Sequence, residues 1–376
     1  MGWKSYRTNI RDNKCLMYYI TFNDIPSGIY QSQVIDVVKY LSSLSNTEVK
    51  LIAFLPYSNF KENKKKIKAQ LPQAKVLPIW AGITRWRKVK PLLKLVTKRS
   101  EVAICRGPIA AELALGSFHK VVYDARAAVK AEVEEFDVTE NEQLGIDFIN
   151  AEKVAVLQSD YRIAVSNKLV EYWEKEYDYK ENNHIVIPCT LTSKAIGKLP
   201  KNNNAIVKLV YSGGIGPWQS FDLIAKLVRE TLKSNEKVSV LFLTKETEAV
   251  INLIKEFPNR CERKWLKHNE VYQALLSCDY GMLIRDQNIT NQVASPVKFA
   301  EYLNAGLKVL ISENLGDFSD FVKQHNCGIV INDTIPELFS PMVIERKNAV
   351  GLAKIHFSKE SKEVTHLYLS LLLNIR

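Results

Sequence analysis

Apolar positions in this chain fall in short blocks separated by stretches of helical spacing. "CLMYYITF" (15–22), "EVKLIAFLP" (48–56), "AKVLPIW" (74–80), "VAICRG" (102–107) and "KVVYDAR" (120–126) are near-continuous apolar runs of strand length. Such runs suit strands covered on both faces, as in a parallel sheet. Between them lie helical segments: "YQSQVIDVVKYLSSL" (30–44), a lysine-rich stretch, and an alanine-rich helix near 108–117. "AVLQSDYRIAVS", "NKLVEYWEKEY" and "HIVIPC" extend the alternation to residue 189. Patterning is then lost in "TSKAIGKLPKNNN" (192–204), which reads as a linker. A second series follows, from "IVKLVYSGG" (206–214) through "SFDLIAKLVRETLK", "VSVLFLT", "ETEAVINLIKEF", "RKWL", "NEVYQALLSC" and "YGMLIR" to "KVLIS" (308–312). Strands alternating with helices predict an α/β protein with two Rossmann-like domains facing across a cleft. The predicted boundaries are 1–192 for the first domain, 193–204 for the linker, 205–345 for the second domain, and 346–376 for a helix lying beyond it.

"NQVASPVKFAEYLNAGLKVLIS" (291–312) concentrates the candidate chemistry. Ser295 is placed to cap a helix and Pro296 to occupy its first position. Phe299, Tyr302 and Leu303 form an apolar stripe, and Gly306 supplies a left-handed stop. Upstream, "YGMLIR" is a strand ending in Arg285. In a parallel α/β sheet, this arginine and the helix N-terminus belong outside the carboxyl ends of the strands, where ligands bind. Lys298 and Glu301 share a helix face and lie about 4.5 Å apart along its axis. Two readings stand at this point. A helix end, Arg285 and Lys298 suit phosphates, with Glu301 one turn deeper on a ribose; alternatively, Lys298 and Glu301 are an ordinary surface pair.

Charge adds a second theme. Residues 1–120 hold 21 Lys/Arg against 7 Asp/Glu, while the remaining 256 hold 31 against 34, so the net +11 comes from the first third. "FKENKKKIKAQ" (60–70) and "RWRKVKPLLKLVTKR" (85–99) concentrate it. These blocks suit an anionic membrane surface or a solvated helix face; nothing in the sequence forms a nucleic-acid recognition motif. No apolar run approaches the 18 residues of a membrane span, and the polar start "MGWKSYRTNIRDNK" is unlike a secretory signal. The six cysteines are scattered without a C-x-x-C pair and read as reduced core residues of a cytoplasmic protein. No metal-ligand spacing stands out.

With these motifs in hand, the chain resembles the retaining glycosyltransferases of family 4, which have the GT-B fold, and within them the branch that assembles bacterial surface polysaccharides. The resemblance is carried by "VYSGGIGPWQSFDLI", "VYQALLSCDYGMLIRDQNITNQVASPVKFAEYLNAGLKVLIS" and "CGIVI". In the first half it is carried by "PSGIYQSQV", "RGPIAAELAL", "VVYDARAAVKAEVEEF" and "SDYRIAVSNKLVEYW".

The resemblance implies a nucleotide-sugar donor on the second domain, a lipid-linked or glycan acceptor on the first, and no metal or other cofactor. Glu301 matches the glutamate that grips the ribose. Gly213, Gly214 and Gly216 match the loop that approaches the diphosphate, and Gly28 matches a first-domain glycine loop. Family members commonly place an arginine and a lysine near that phosphate loop; here Gly214 and Trp218–Gln219 stand instead, so phosphate neutralisation falls to Arg285 and Lys298. The first of the family's paired glutamates is replaced by Val293. This leaves Asn291, Gln292 or backbone amides near Ala294, beside Pro296, to meet the sugar. Asp124 and Arg126 resemble an Asp-x-Arg-Gly element, with Ala127 in place of glycine; they have either a catalytic or acceptor role or that of a strand-end salt bridge. His119 and Trp218 read as structural. The implied activity is transfer with retention, from a UDP-sugar by family frequency, at the inner face of the membrane. A GT-B protein that binds without turnover, or a sugar-nucleotide epimerase, is the alternative. The final helix, in the family, crosses back to the first domain.

Overall fold

The computed structural model describes residues 16–45, 48–97, 101–139, 141–192, 199 and 206–375. Cys15, Lys98, Arg99 and nearly all of the predicted linker lie outside those residues. The chain divides into two compact units, Met1–Pro188 with Lys362–Arg376, and Cys189–Ser361.

The first unit is built on a seven-stranded sheet in the order β3-β2-β1-β4-β5-β6-β7, with every pair parallel. Its strands are β1 (Met17–Phe22), β2 (Val49–Leu55), β3 (Lys75–Pro78), β4 (Val102–Arg106), β5 (Lys120–Asp124), β6 (Tyr161–Ala164) and β7 (His184–Val186). All six residues of β1 are buried, as its unbroken apolar run requires of a strand with helices on both faces. The helix Lys362–Ile375 joins this core through Val364, Tyr368, Leu371, Leu372 and Ile375. Tyr368 meets Tyr40 edge to face at 5.3 Å, and the Tyr40 hydroxyl lies 2.7 Å from Thr365 Oγ1.

The second unit has six parallel strands in the order β10-β9-β8-β11-β12-β13. These are β8 (Val207–Ser212), β9 (Val238–Leu243), β10 (Cys261–Lys264), β11 (Tyr280–Leu283), β12 (Lys308–Ser312) and β13 (Gly328–Ile331). The helix Phe221–Ser234 shows how sequence sets packing: Ile224, Ala225, Leu227, Val228, Thr231 and Leu232 are buried at helical spacing. Phe299 packs edge to face on Phe318, Phe321 and Phe357, tying the helix Val297–Asn304 to its neighbours.

Both sheets repeat one order, in which the third, second and first strands are followed by the fourth and fifth. The direction of winding therefore reverses between β1 and β4 in one unit and between β8 and β11 in the other. In such sheets the crevice lies outside the carboxyl ends of those two strands. Among the described residues, no helix is long and apolar enough to cross a membrane.

Candidate functional site

In the second unit, β8 ends at Ser212 and β11 at Leu283, and both lead into loops at the reversal point. Arg285 follows β11 directly. Its backbone N–H donates to Ser312 Oγ at 2.8 Å, which fixes where the side chain begins. The guanidinium is buried, donating from Nη1 to Asn291 Oδ1 at 3.2 Å and from Nη2 to Gln219 Oε1 at 3.3 Å; Nε is buried with no partner. Lys298, in the first turn of Val297–Asn304, is also buried and donates to the same Gln219 Oε1 at 2.8 Å. Its ammonium sits 4.4 Å from the centre of the Tyr211 ring. The Tyr211 hydroxyl donates to the Gly214 carbonyl, and Tyr302 Oη accepts the Ser212 N–H at 2.9 Å. Two cations, one following a strand and one from the first turn of a helix, thus converge on a single neutral amide oxygen.

Neither cation forms an ion pair with a described acid. Burial pulls the Arg285 guanidinium down to about 10. Burial, and then the charge of Arg285, hold the Lys298 ammonium well below its ordinary value, with Glu301 favouring the charged form. Keeping two charges in this setting costs several kcal/mol per ion unless an anion or full hydrogen bonding offsets it. Gly213 leaves the needed space, since a Cβ there would lie 2.7 Å from Lys298 Nζ. Its φ of +150° is also one that side-chain-bearing residues rarely adopt.

The structure gathers Gly213, Gly214, Arg285, Asn291 and Lys298 at this one place. Gly214 is exposed, Gly216 packs beneath the Trp218 ring, and Glu301 is half-buried one turn beyond Lys298. Asn291, one of three alternatives for meeting the sugar, is fully buried and serves as a hydrogen-bond acceptor for Arg285. Ala294 is half-buried and Pro296 buried. The expected cap does not form at Ser295: its Oγ accepts the Cys189 N–H at 2.8 Å, so Pro296 takes the N-cap position and the helix begins at Val297. With its hydroxyl turned to that distant backbone amide, Ser295 makes no cap bond to the helix.

The first unit has its own polar cluster at the ends of β1, β4 and β5. Asp124 is fully buried, and its Oδ2 accepts from the Tyr19 hydroxyl and, at 2.8 Å, from Arg126 Nη2. Arg106, in register with Thr21 on one side and Asp124 on the other, donates from Nε to Asp24 Oδ2 at 2.8 Å. Gly28 opens a helical turn whose N-cap, Ser27, accepts the Tyr30 N–H at 3.1 Å; a π-helical stretch, Gln31–Ile35, follows. Such stretches recur at functional sites. The loop after Asp124 is held by Glu152, whose carboxylate accepts the Val129 and Lys130 N–H groups, each at 2.8 Å, and the Tyr177 hydroxyl.

Sequence reasoning missed Gln219, Tyr211, Arg106 and Glu152. Gln219 stands in sequence only as the replacement for a cation, and a neutral amide 66 residues before Arg285 gives no charge signal.

In sequence, the chain matches no protein-family profile and no curated protein. In structure it is similar to a sucrose-phosphate synthase from Thermosynechococcus elongatus, with a TM-score of 0.65, 9% identity, and coverage of 95% of this chain and 97% of that one. It is also similar to S. aureus TarM, solved with fondaparinux, α-GlcNAc-glycerol and UDP, with a TM-score of 0.62, 9% identity and 96% coverage of both chains. The lipopolysaccharide outer core galactosyltransferase WaaB gives 0.61 at 12% identity, covering 95% of this chain and 99% of that one. These likenesses show a GT-B-like fold.

Proposed function

We propose that the chain is a retaining glycosyltransferase that moves a sugar from a nucleotide-sugar donor to a lipid-linked or glycan acceptor in surface polysaccharide synthesis. One observation carries this reading: Arg285 and Lys298, both buried and neither paired with an acid among the described residues, meet at Gln219 Oε1. A diphosphate supplies the negative oxygens that this arrangement lacks. On donor binding the phosphate oxygens replace the amide oxygen, and Gly213 and Gly214 let the backbone approach them. Breaking the glycosidic bond adds negative charge to the leaving diphosphate. Cations fixed beforehand in a site of low dielectric lower that barrier without reorganising. Glu301, one turn deeper on the same helix, accepts hydrogen bonds from the ribose hydroxyls. Asn291 acts through Arg285 and is a positioning residue. UDP is favoured, in line with the UDP bound to TarM.

Retention fits front-face attack, in which the acceptor hydroxyl adds to the anomeric carbon as its bond to the phosphate oxygen breaks, and that oxygen takes the hydroxyl proton. The first unit binds the acceptor, and its basic segments 60–70 and 85–99 hold the enzyme to an anionic membrane surface. Lys61, Lys64, Lys65, Lys66 and Lys68 are exposed on the helix Phe60–Gln70, which buries only Asn63 and Ile67.

The test is incubation of the purified chain with UDP- and GDP-sugars and isolated lipid acceptors. Transfer with retained anomeric configuration is expected; nucleotide binding without transfer, or isomerised donor, would replace this reading with a binding protein or an epimerase. Lys298→Ala should lower turnover about 100-fold, whereas Glu301→Ala should mainly weaken nucleotide binding, by about tenfold.

A further inference from the structure

The helix that carries Lys298 and Glu301 is gripped by two short segments distant from it in sequence. The second unit begins at Cys189 and ends at Ser361, and the segments just inside those points run side by side. Leu191 bridges Ser358 in parallel. The Leu191 N–H donates to the Phe357 carbonyl at 2.8 Å, and the Lys359 N–H donates to the Leu191 carbonyl at 2.9 Å. The buried Lys359 also donates from Nζ to the Thr190 carbonyl at 2.6 Å. This paired strap reaches the helix Val297–Asn304 at two places. The Cys189 N–H donates to Ser295 Oγ at 2.8 Å, immediately before Pro296, and Phe357 packs edge to face on Phe299 at 5.5 Å. Leu191 packs against the apolar cluster that holds Phe299, Tyr302 and Leu303.

Lys298 lies in sequence between the two residues that the strap holds. Its nitrogen has little slack, with Gln219 Oε1 at 2.8 Å and the Tyr211 ring centre at 4.4 Å. Misplacing a stabilising group by about 1 Å can cost on the order of 100-fold in rate. The grip on Ser295 also bears on the helix end. With Pro296 at the N-cap there is no side-chain cap, and the Phe299 N–H donates to the Pro296 carbonyl at 3.0 Å. The N–H groups of Val297 and Lys298 precede the helix's own acceptors and have no partner within it. We infer that Ser295 is a positioning residue of the donor site. Through the Cys189 N–H it fixes the start of the helix, so that Lys298 Nζ and the first-turn N–H groups meet the diphosphate together; Phe357 steadies Phe299 beside them. The inference rests on the donor reading for the identity of the ligand; the strap itself belongs wholly to the second unit.

A double-mutant cycle between Ser295 and Lys298 tests it, with UDP affinity read by calorimetry and transfer read as kcat and KM. Ser295→Ala should weaken UDP about fivefold and lower kcat about tenfold, with the acceptor KM unchanged. Ser295→Thr, which keeps a hydroxyl, should recover most of both. In a Lys298→Ala background, Ser295→Ala should add less than about twofold, because it acts through the lysine. If Ser295→Ala does not fold, Phe357→Leu trims the packing on Phe299 and should weaken UDP about threefold in its place. Unchanged UDP affinity and kcat in the folded variant, no recovery with threonine, or losses that multiply with those of Lys298→Ala would overturn the positioning role. The two readings fail differently. Lys298→Ala with undiminished UDP affinity removes the donor reading, and this inference falls with it. UDP weakened by Lys298→Ala but not by Ser295→Ala removes this inference alone. Where UDP binds and no transfer occurs, the cycle read on UDP affinity decides the inference by itself.

Discussion

Gly213 and Lys298 share one small volume: a methyl group on residue 213 would sit 2.7 Å from the lysine nitrogen. That nitrogen is held between the Tyr211 ring and Gln219 Oε1, so it has little freedom to withdraw. Gly213→Ala should therefore displace the ammonium from the phosphate position and strain the backbone at a φ of +150°. The expected result is a loss of nucleotide affinity of about tenfold or more, read by calorimetry, with smaller loss of stability. Unchanged affinity would mean that the glycine loop and Lys298 do not meet the same ligand.

Gln219 offers a sharper test because its oxygen stands where the proposed phosphate oxygen goes. Gln219→Glu supplies an internal carboxylate to both Arg285 and Lys298. The free protein should become more stable, by about 1 kcal/mol or more, as two unpaired buried charges gain a charge-assisted partner. Nucleotide binding should fall by at least about tenfold, since the anion must now displace a fixed negative charge. Stability by urea titration and affinity by calorimetry should move in opposite directions. A variant that gains stability and still binds nucleotide as tightly would place the diphosphate elsewhere.

The ends of the strands were readable because a parallel sheet turns continuous apolar runs into buried strands, and Arg285 closes one of them. The stop at Gly306 was readable as well, and its φ is +76°. What escaped reading was partnership over long separations. Ser295 looks like a cap until Cys189, 106 residues earlier, takes its hydroxyl. Asn291, one of the candidates with Gln292 and the amides near Ala294 to meet the sugar, is buried with its Oδ1 accepting from Arg285, a contact its sequence position does not signal. Arg106 and Asp24 are 82 residues apart and meet only because β1 and β4 are adjacent. The π-helical turn at Gln31–Ile35 has no local sequence signal at all.

Glu152 and Glu132 give a pH prediction for the first unit. Burial pushes Glu152 up to about 7, against the hydrogen bonds from Lys130, Tyr177 and Val129 that favour its charge. Burial, followed by the charges of Glu152 and Glu135, pushes Glu132 up to about 7. The folded chain then holds more protons than the unfolded chain between about 4.5 and 7, so stability contributed by these groups falls as pH rises through that window. Glu132→Gln removes one of the two charges and should flatten the decline, measured as unfolding free energy at pH 5 and pH 7.5. Equal slopes in the parent and the variant would remove the pair as its cause.

Lys298 gives the opposite sign. Its ammonium is held well below the ordinary lysine value by burial and by Arg285, so the folded state releases this proton before the unfolded state does. At pH values below the lowered folded pKa both states are protonated, and the full cost of the buried charge is present. Between that value and the ordinary lysine pKa of about 10.4 the unfolded state binds more protons, so stability rises with pH. Lys298→Met fills similar volume without charge. It should raise the melting temperature at pH 7 by on the order of 2 °C or more, and the difference from the parent should shrink as pH climbs toward 10. A diphosphate changes the balance by favouring the ammonium, so nucleotide binding above the lowered pKa should be accompanied by proton uptake. Calorimetry in buffers of different ionisation enthalpy reads that uptake directly, and Lys298→Met should reduce it. A melting temperature lower in Lys298→Met than in the parent at pH 7, with the same pH dependence in both, would show that the lysine is already neutralised in the free protein and is not waiting for an anion.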